Sequence, residues 1–333
     1  MMTLPHATEM PANLTGTKTR WVQASLVPSL FLATCFLIGV PGNGLVVWTI
    51  LSKFRQRSFT IALILNLAMA DLTVMLTVPF WIYYFLSSWV FGDFMCQLLV
   101  YIVYLTVYTS IFSITLMSLH RFAVVVFPVA SQRWRKPRGV YIILLVIWLL
   151  AGAFSCPSLI FSSTQMTEGQ CSDEFYKNDG QRLAVNIVET LFAFVIPFAV
   201  LAVCYTYVVR KIRTLKNHKK MKTGKLISAV VGTFFVCWLP YHILNLIIIS
   251  ALLLKYSKPE VSRALLDSIK TLTNFHGSSA FLSSCINPIL YAFAARSFRG
   301  GLRETNFAKL FEKVHNDTEE KSSKDNTISM QTL

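Results

Sequence analysis

The feature that most constrains this chain is a row of seven long stretches almost free of charge. Residues 21–52, 139–167, 226–254 and 271–295 contain no Lys, Arg, Asp or Glu; 59–92 contain only Asp71, 94–132 only Arg121, and 183–209 only Glu189. A hydrocarbon core of ~30 Å is crossed by about 20 apolar residues in a helix, so each run is long enough. One such run reads equally well as a buried helix of a soluble protein; seven in one chain do not. Strands of a membrane barrel alternate in polarity over about 10 residues, and these runs do not alternate. The predicted fold class is therefore all-α, a seven-transmembrane helix bundle, with helices at 25–52, 59–87, 93–127, 139–161, 184–213, 222–254 and 266–295. Composition agrees, since 14% of residues are charged against about a quarter in soluble domains. No internal repeat of fixed period is present.

The remaining charge is lopsided, with a net +15, which suits nucleic acid or a membrane surface. The basic residues sit in short clusters between apolar runs, which favours the membrane and argues against nucleic acid. The loop after span 1 carries Lys53, Arg55 and Arg57. The loop after span 3 carries Arg133, Arg135, Lys136 and Arg138, and the loop after span 5 runs from Arg210 to Lys225 with no acid. The alternate side is poorer in Lys and Arg, so the positive-inside rule puts these three loops in the cytoplasm and the N-terminus outside, in a multi-pass protein of the plasma membrane. Residues 1–20 lack the apolar stretch of a cleavable signal, so span 1 is expected to start insertion itself. Asn13-Leu14-Thr15 is a glycosylation triplet on the outer side. Five cysteines fall within spans; Cys96 and Cys171 fall at the outer face, where disulfides persist, and are expected to pair.

Polar residues inside a membrane are costly and mark candidate sites. Asp71, Asn43, Ser110, Ser283, Ser284 and Asn287 offer hard oxygens suited to a small cation such as Na⁺, or form a hydrogen-bonded cluster between helices; residue type alone leaves both open. Arg121 follows Cys96 by 25 residues, ~37 Å along a helix, which puts it at the inner mouth, where a lone Arg snorkels to the interface. Pro197, Pro240 and Pro288 interrupt spans 5, 6 and 7 and are expected to kink them.

Taken in order, these residues resemble the rhodopsin-type G-protein-coupled receptors from the first span to the tail. The matches are Gly42-Asn43, Leu67-Ala68-x-Ala70-Asp71, Trp89, Cys96, Arg121, Trp148, Cys171, Pro197, Tyr205, Cys237-Trp238-x-Pro240 and Asn287-Pro288-x-x-Tyr291. The resemblance implies a sodium site formed by Asp71, Asn43, Ser110 and Asn287, with Ser283 beside them, and no other cofactor. It implies that Pro197, Ile111 and Phe234 repack on activation, that Trp238 senses the ligand, and that Arg121, Tyr205, Pro288 and Tyr291 rearrange at the G-protein face. One position departs: His120 precedes Arg121 where the family carries an acid, which implies a weaker resting-state restraint and higher basal signalling.

Within that family the chain is similar to the leukotriene B4 receptors, at Val40-Pro41-Gly42-Asn43-Gly44-Leu45-Val46-Val47-Trp48, Thr223-Gly224-Lys225-Leu226, Trp238-Leu239-Pro240-Tyr241-His242-x-x-Asn245-Leu246, Phe281-Leu282-Ser283-Ser284 and Ala308-Lys309-Leu310-Phe311-Glu312. Val103 stands where amine receptors carry an Asp, and Phe281 where opsins carry the retinal Lys. The similarity implies that Tyr108, Glu189 and Asn245 line the ligand pocket. Two pocket positions of the group depart, Val100 for a His and Ser162 for an Arg. By chemistry, Tyr101, Tyr104, Tyr108 and Trp238 suit an acyl chain, and His242, Asn245, Glu189 and Asn274 suit its hydroxyls; the plain alternative is helix packing. The expected agonist is a hydroxylated fatty acid, with leukotriene B4 first. Another oxylipin or a small chemoattractant peptide stands as the alternative.

The domain reading is an outer tail at 1–24, the receptor bundle at 25–295, an amphipathic interfacial eighth helix at 296–313 and a disordered cytoplasmic tail at 314–333. The tail's Ser and Thr residues near Glu319 and Glu320 fit a receptor kinase and arrestin, beside the heterotrimeric G protein, of Gi type, as partners. A transporter would carry paired repeats or a continuous polar lining, and an enzyme a convergent catalytic set; neither pattern is seen, so no enzymatic activity is expected.

Overall fold

The computed structural model describes residues 25–53, 59–127, 137–161, 163–165, 170–172, 176–215, 218–269 and 281–289. Among these, six helices are long and apolar enough to cross a membrane. Span 1 is Val27–Lys53, span 3 Gly92–Val126, span 4 Pro137–Phe161 and span 6 His218–Leu254. Where span 7 was expected over 266–295, helix is described at Pro259–Ile269 and at 281–289. The expected eighth helix at 296–313, the tails, Asn13, Asn274 and Tyr291 lie outside the described residues.

Spans 2 and 5 differ most from their sequence expectation, and span 6 begins at His218, four residues before the expected 222. Span 2, expected as one helix, is two, Phe59–Met75 and Val78–Leu86. Pro79 has no N–H to give to the preceding turn, and Thr77 tightens the break: its Oγ1 donates to the Val74 carbonyl at 2.7 Å and accepts from Trp81 Nε1 at 3.2 Å. Span 5 begins at Asp179, five residues before the expected start, and passes through a π turn at Leu191–Val195 into Ile196–Leu215. Its first turn is polar and escapes an apolar criterion, yet Asn178 caps it by accepting from the Gln181 N–H at 2.9 Å, satisfying a donor that helix starts leave open. The π turn directly precedes Pro197, whose missing N–H relaxes the ladder there.

Span 3 is the axis of the bundle, packing on spans 2, 4, 5 and 6. The apolar windows of spans 2 and 3 are 67% and 56% buried, against 22% in spans 1 and 4. Span 4 presents Tyr141, Ile142, Leu145, Leu149 and Ile160 outward, as a helix facing lipid does. Because lipid gives no hydrophobic drive between helices, polar ties matter. Asn66 supplies one: its Nδ2 donates to Ser113 Oγ and its Oδ1 accepts from Trp148 Nε1, both at 2.9 Å, joining spans 2, 3 and 4.

The Cys96–Cys171 disulfide is formed, with its Cα atoms 5.7 Å apart. It fastens span 3 to a short antiparallel hairpin, Ser163–Gln165 with Gln170–Ser172, an element the helical reading did not anticipate. Beside it Gly92 opens span 3 at φ 78°, a left-handed conformation that favours glycine. The Gly92 carbonyl accepts from Trp89 Nε1 at 2.8 Å, and Trp89 packs edge-on to Tyr84 and Phe91.

Candidate functional site

Two groups of polar residues lie inside the bundle. The first joins spans 1, 2 and 7. Asp71 is buried and accepts from Asn287 Nδ2 at 2.8 Å. Asn43 donates from Nδ2 to the carbonyls of Gly39 at 3.1 Å and Ser284 at 3.0 Å. The helices come close enough for this because residue 42 is glycine. A Cβ there would sit 2.7 Å from Pro288 Cβ and 2.9 Å from its Cγ.

Whether this group suits a sodium ion is a question of donors. Asn43 Oδ1 is buried without a hydrogen-bond partner, and a buried lone oxygen is costly unless something polar meets it. Together with the Asp71 carboxylate, this makes a hard oxygen set that fits a small alkali cation. Ser110 and Ser283 are half-buried on the flanking spans. No cluster of three or more His, Cys, Asp or Glu forms among the described residues.

The second group lies toward the disulfide, between spans 3, 4, 5 and 6. Glu189 accepts from Tyr241 Oη and, at 3.4 Å, from Asn245 Nδ2, which fastens span 5 to span 6. Nearer the helix ends Lys255 pairs with Asp179; this hydrogen bond and the charge of Asp179 hold the ammonium above the usual lysine range. A cavity of ≈ 170 Å³ opens against Glu189, lined also by Tyr104 and Tyr108 of span 3, Phe154, Pro157, Ser158 and Phe161 of span 4, and Ala184 and Val188 of span 5.

Of the ligand residues expected from sequence, Tyr104, Tyr108 and Glu189 line this cavity. Asn245 stands behind Glu189 as a donor. Tyr101 turns toward span 4, its hydroxyl 3.2 Å from where a Cβ on Gly152 would be. Trp238 and His242 lie deeper, packed edge-on and tilted around Tyr241. His242 is fully buried, and neither ring nitrogen has a hydrogen-bond partner. Its ring stacks on Phe194 at 4.6 Å, and Phe194 stacks in turn on Phe235 and Phe198.

Sequence reasoning missed the whole span 4 wall and Tyr241. Ser155, Pro157 and Ser158 were the available signal, a polar and proline-bearing patch in an otherwise apolar helix. Tyr241 was visible only as part of a longer motif.

The other singled-out positions are spread through the bundle. Ile111 and Pro288 are buried and Pro240 sits inside the unbroken span 6 helix. Pro197 is buried just after the π turn, and Tyr205 is half exposed. The Phe234 side chain is outside the described set. Arg121 is half-buried near the far end of span 3, and His120 beside it packs its ring on Phe59 at 4.5 Å. His120 thus makes an apolar contact with span 2 where the family carries an acid.

The sequence profile of the 7 transmembrane receptor (rhodopsin family) matches residues 42–291. The chain is 33% identical over 291 residues to leukotriene B4 receptor 1 of Homo sapiens, covering 84% of this chain and 78% of that protein. It is 32% identical over 313 residues to a C3a anaphylatoxin chemotactic receptor of Oncorhynchus mykiss, covering 91% and 81%. It is 36% identical over 286 residues to C-C chemokine receptor type 1 of Homo sapiens, covering 84% and 79%.

Proposed function

The chain belongs to the rhodopsin family of seven-transmembrane receptors, and from that premise we propose that it is a cell-surface receptor for a hydroxylated fatty-acid mediator, leukotriene B4 being the first compound to test. It is a receptor and not an enzyme, and it works through a heterotrimeric G protein. The finer reading is that a Gi-type protein is recruited in a chemoattractant response. The observation that carries the lipid reading is the cavity against Glu189. Its walls are mostly aromatic and aliphatic, which suits a hydrocarbon chain. Its one carboxylate is already held by Tyr241 and Asn245, so a ligand hydroxyl entering the cavity meets an oriented acceptor. Apolar burial has no direction of its own; the polar residues at Glu189 supply it.

The relatives named for C3a and for chemokines support a second reading, a peptide agonist. The two readings part in one experiment. Cells expressing the receptor are exposed to a panel of oxylipins and to C3a-like and chemokine peptides, with calcium release recorded with and without pertussis toxin. A toxin-sensitive response to leukotriene B4 or a related hydroxy fatty acid supports the proposal. Silence to every hydroxy fatty acid with a peptide active overturns the lipid assignment and leaves the receptor family untouched.

The proposed coupling runs from the cavity through Trp238 to the Asp71–Asn287 group. Sodium bound there by Asp71, Asn43, Ser110, Ser283 and Asn287 would supply a positive charge that favours one packing of spans 2 and 7. Asp71 holds the charge, Asn287 orients the carboxylate and Asn43 fixes span 1 to span 7. Arg121, Ile111, Pro197, Tyr205, Phe234, Pro288 and Tyr291 then form the moving face. The N-terminus faces outside in this reading, with Asn13 glycosylated, and the 314–333 tail serves a receptor kinase and arrestin.

A further inference from the structure

Spans 4 and 5 each pack on span 3 and hardly on one another, and the cavity lies in the gap between them. Two aromatic pairs frame that gap. Phe154 meets Phe192 at 4.9 Å on the side toward Arg121, and Phe161 meets Tyr176 at 5.0 Å on the side toward the disulfide. Phe154 and Phe161 are seven residues apart on one helix, so the frame is about 10 Å tall at 1.5 Å per residue. Between the pairs the edges are short side chains, Pro157 and Ser158 on one helix and Ala184 and Val188 on the other.

The rim faces hydrocarbon. Val188 is 43% exposed, and Leu159 and Ile160 beside Pro157 are exposed as well. The polar atoms at this edge are spent inside their own helix: Ser155 Oγ donates to the Ala151 carbonyl at 2.7 Å and Ser158 Oγ to the Ser155 carbonyl at 2.8 Å. The Ser155 and Ser158 part of the edge therefore behaves as apolar, and the carboxylate of Glu189 lies behind it with the Tyr104 and Tyr108 side chains. Toward the disulfide end the Phe161–Tyr176 pair closes the cavity, next to a hairpin pinned by Cys96–Cys171.

We propose that this gap is a side window through which the aliphatic chain of a bilayer-dissolved fatty acid passes between spans 4 and 5 into the cavity at Glu189. The proposal rests on the lipid reading above and adds the route. A long-chain fatty acid partitions strongly into bilayers, so its concentration at the rim far exceeds that in water. Through the window the chain moves from one apolar medium to another, and only the polar groups change partners on arrival.

A route and a subsite differ kinetically. Filling a route slows arrival and departure alike and leaves the equilibrium constant alone. Val188→Trp fills the window, and Phe192→Ala removes one bar of its frame. With tritiated leukotriene B4 on receptor in nanodiscs, Val188→Trp is expected to slow association and dissociation each by about tenfold; because Val188 also lines the cavity, the equilibrium constant is read on Phe192→Ala, outside that lining, where Kd should change less than about twofold. Phe192→Ala is expected to speed both, which keeps the test alive if the tryptophan variant fails to reach the membrane. A weakened Kd with unchanged association rate would make the gap part of the binding site, and unchanged rates in both variants would place the route elsewhere; either overturns the proposal.

Absence of leukotriene B4 binding to the unaltered receptor would refute the lipid agonist and leave the window to a separate readout. A diazirine-bearing C20 fatty acid in the same nanodiscs is expected to cross-link at Pro157, Ser158, Ala184 or Val188, and to lose those adducts in Val188→Trp. Adducts from a diazirine phospholipid but none from the fatty acid would make the gap a seat for bilayer lipid and refute the route.

Discussion

The Asp71 group and the Glu189 cavity are both polar sites in one bundle, but they are built differently. At Asp71 the helices are in contact. Gly42 lies against the Pro288 ring, and Asn43 reaches the span 7 backbone. At Glu189 spans 5 and 6 pack closely as well, but the carboxylate itself is held only by side chains, Tyr241 and Asn245 of span 6, and an open volume lies on its other side, toward span 4. Backbone contact leaves few ways to vary a site, whereas side-chain bridges can be retuned one residue at a time. The contact site is the one drawn from family motifs, whereas the ligand positions implied by the sequence similarity are the ones where this chain departs, at Val100 and Ser162.

The largest expected effect tests what holds the bridged site open. Cys96→Ala and Cys171→Ala should each cost about 2–5 kcal/mol of stability, read as loss of surface expression, and the double variant should be no worse than either. Additive losses would show two thiols acting separately. Gly42→Ala probes the contact site. Its methyl would overlap a rigid proline ring, so a loss of about 1–3 kcal/mol is expected, measured as a lower melting temperature in detergent, while Gly44→Ala, with open space around its added Cβ, should change little. Equal effects would mean that the span 1–span 7 approach is not tight.

Asp71→Asn keeps the shape of the contact site and removes its charge. The sodium-dependent loss of agonist affinity should disappear, a coupling of about 1–3 kcal/mol in receptors of two states. A variant retaining the full sodium response would remove Asp71 from the site. The smallest effect is expected at His242→Phe. The replacement keeps the stack on Phe194 and deletes two buried nitrogens that lack partners, so stability should hold or rise by up to about 1 kcal/mol. A clear fall in stability would show that an ordered water completes the histidine.

Much of this difference was legible in the sequence. Gaps between charges located the spans, because burial in lipid forbids unpaired charge over about 20 residues. The disulfide was legible because Cys96 and Cys171 lie where the chain meets the outer face. Motif order marked Asn43, Asp71 and Asn287. Breaks inside spans were less visible. Pro79 lies within an apolar run and hides the turn at Thr77, and the polar start of span 5 at Asp179 carries no hydropathy signal. The span 4 wall was marked only by the patch of Ser155, Pro157 and Ser158. Which face of an apolar helix turns inward depends on how its neighbours pack, and span 4 is apolar on nearly every side. Tyr101 shows the same limit: its aromatic chemistry suggested a lining shared with Tyr104 and Tyr108, yet it packs toward Gly152.

The most direct test of the Glu189 cavity as a reader of hydroxyl groups is a comparison of two ligands on the same variants. Binding of leukotriene B4 and of an analogue lacking one hydroxyl is measured on the unaltered receptor, on Asn245→Ala and on Tyr108→Phe. Stranding a buried hydrogen-bond partner costs about 1–3 kcal/mol, so leukotriene B4 should weaken about 5- to 150-fold, and the analogue that never made the bond should weaken much less on at least one variant. Equal losses for both ligands on both variants would mean that Tyr108 and Asn245 hold helices in place and do not read the ligand.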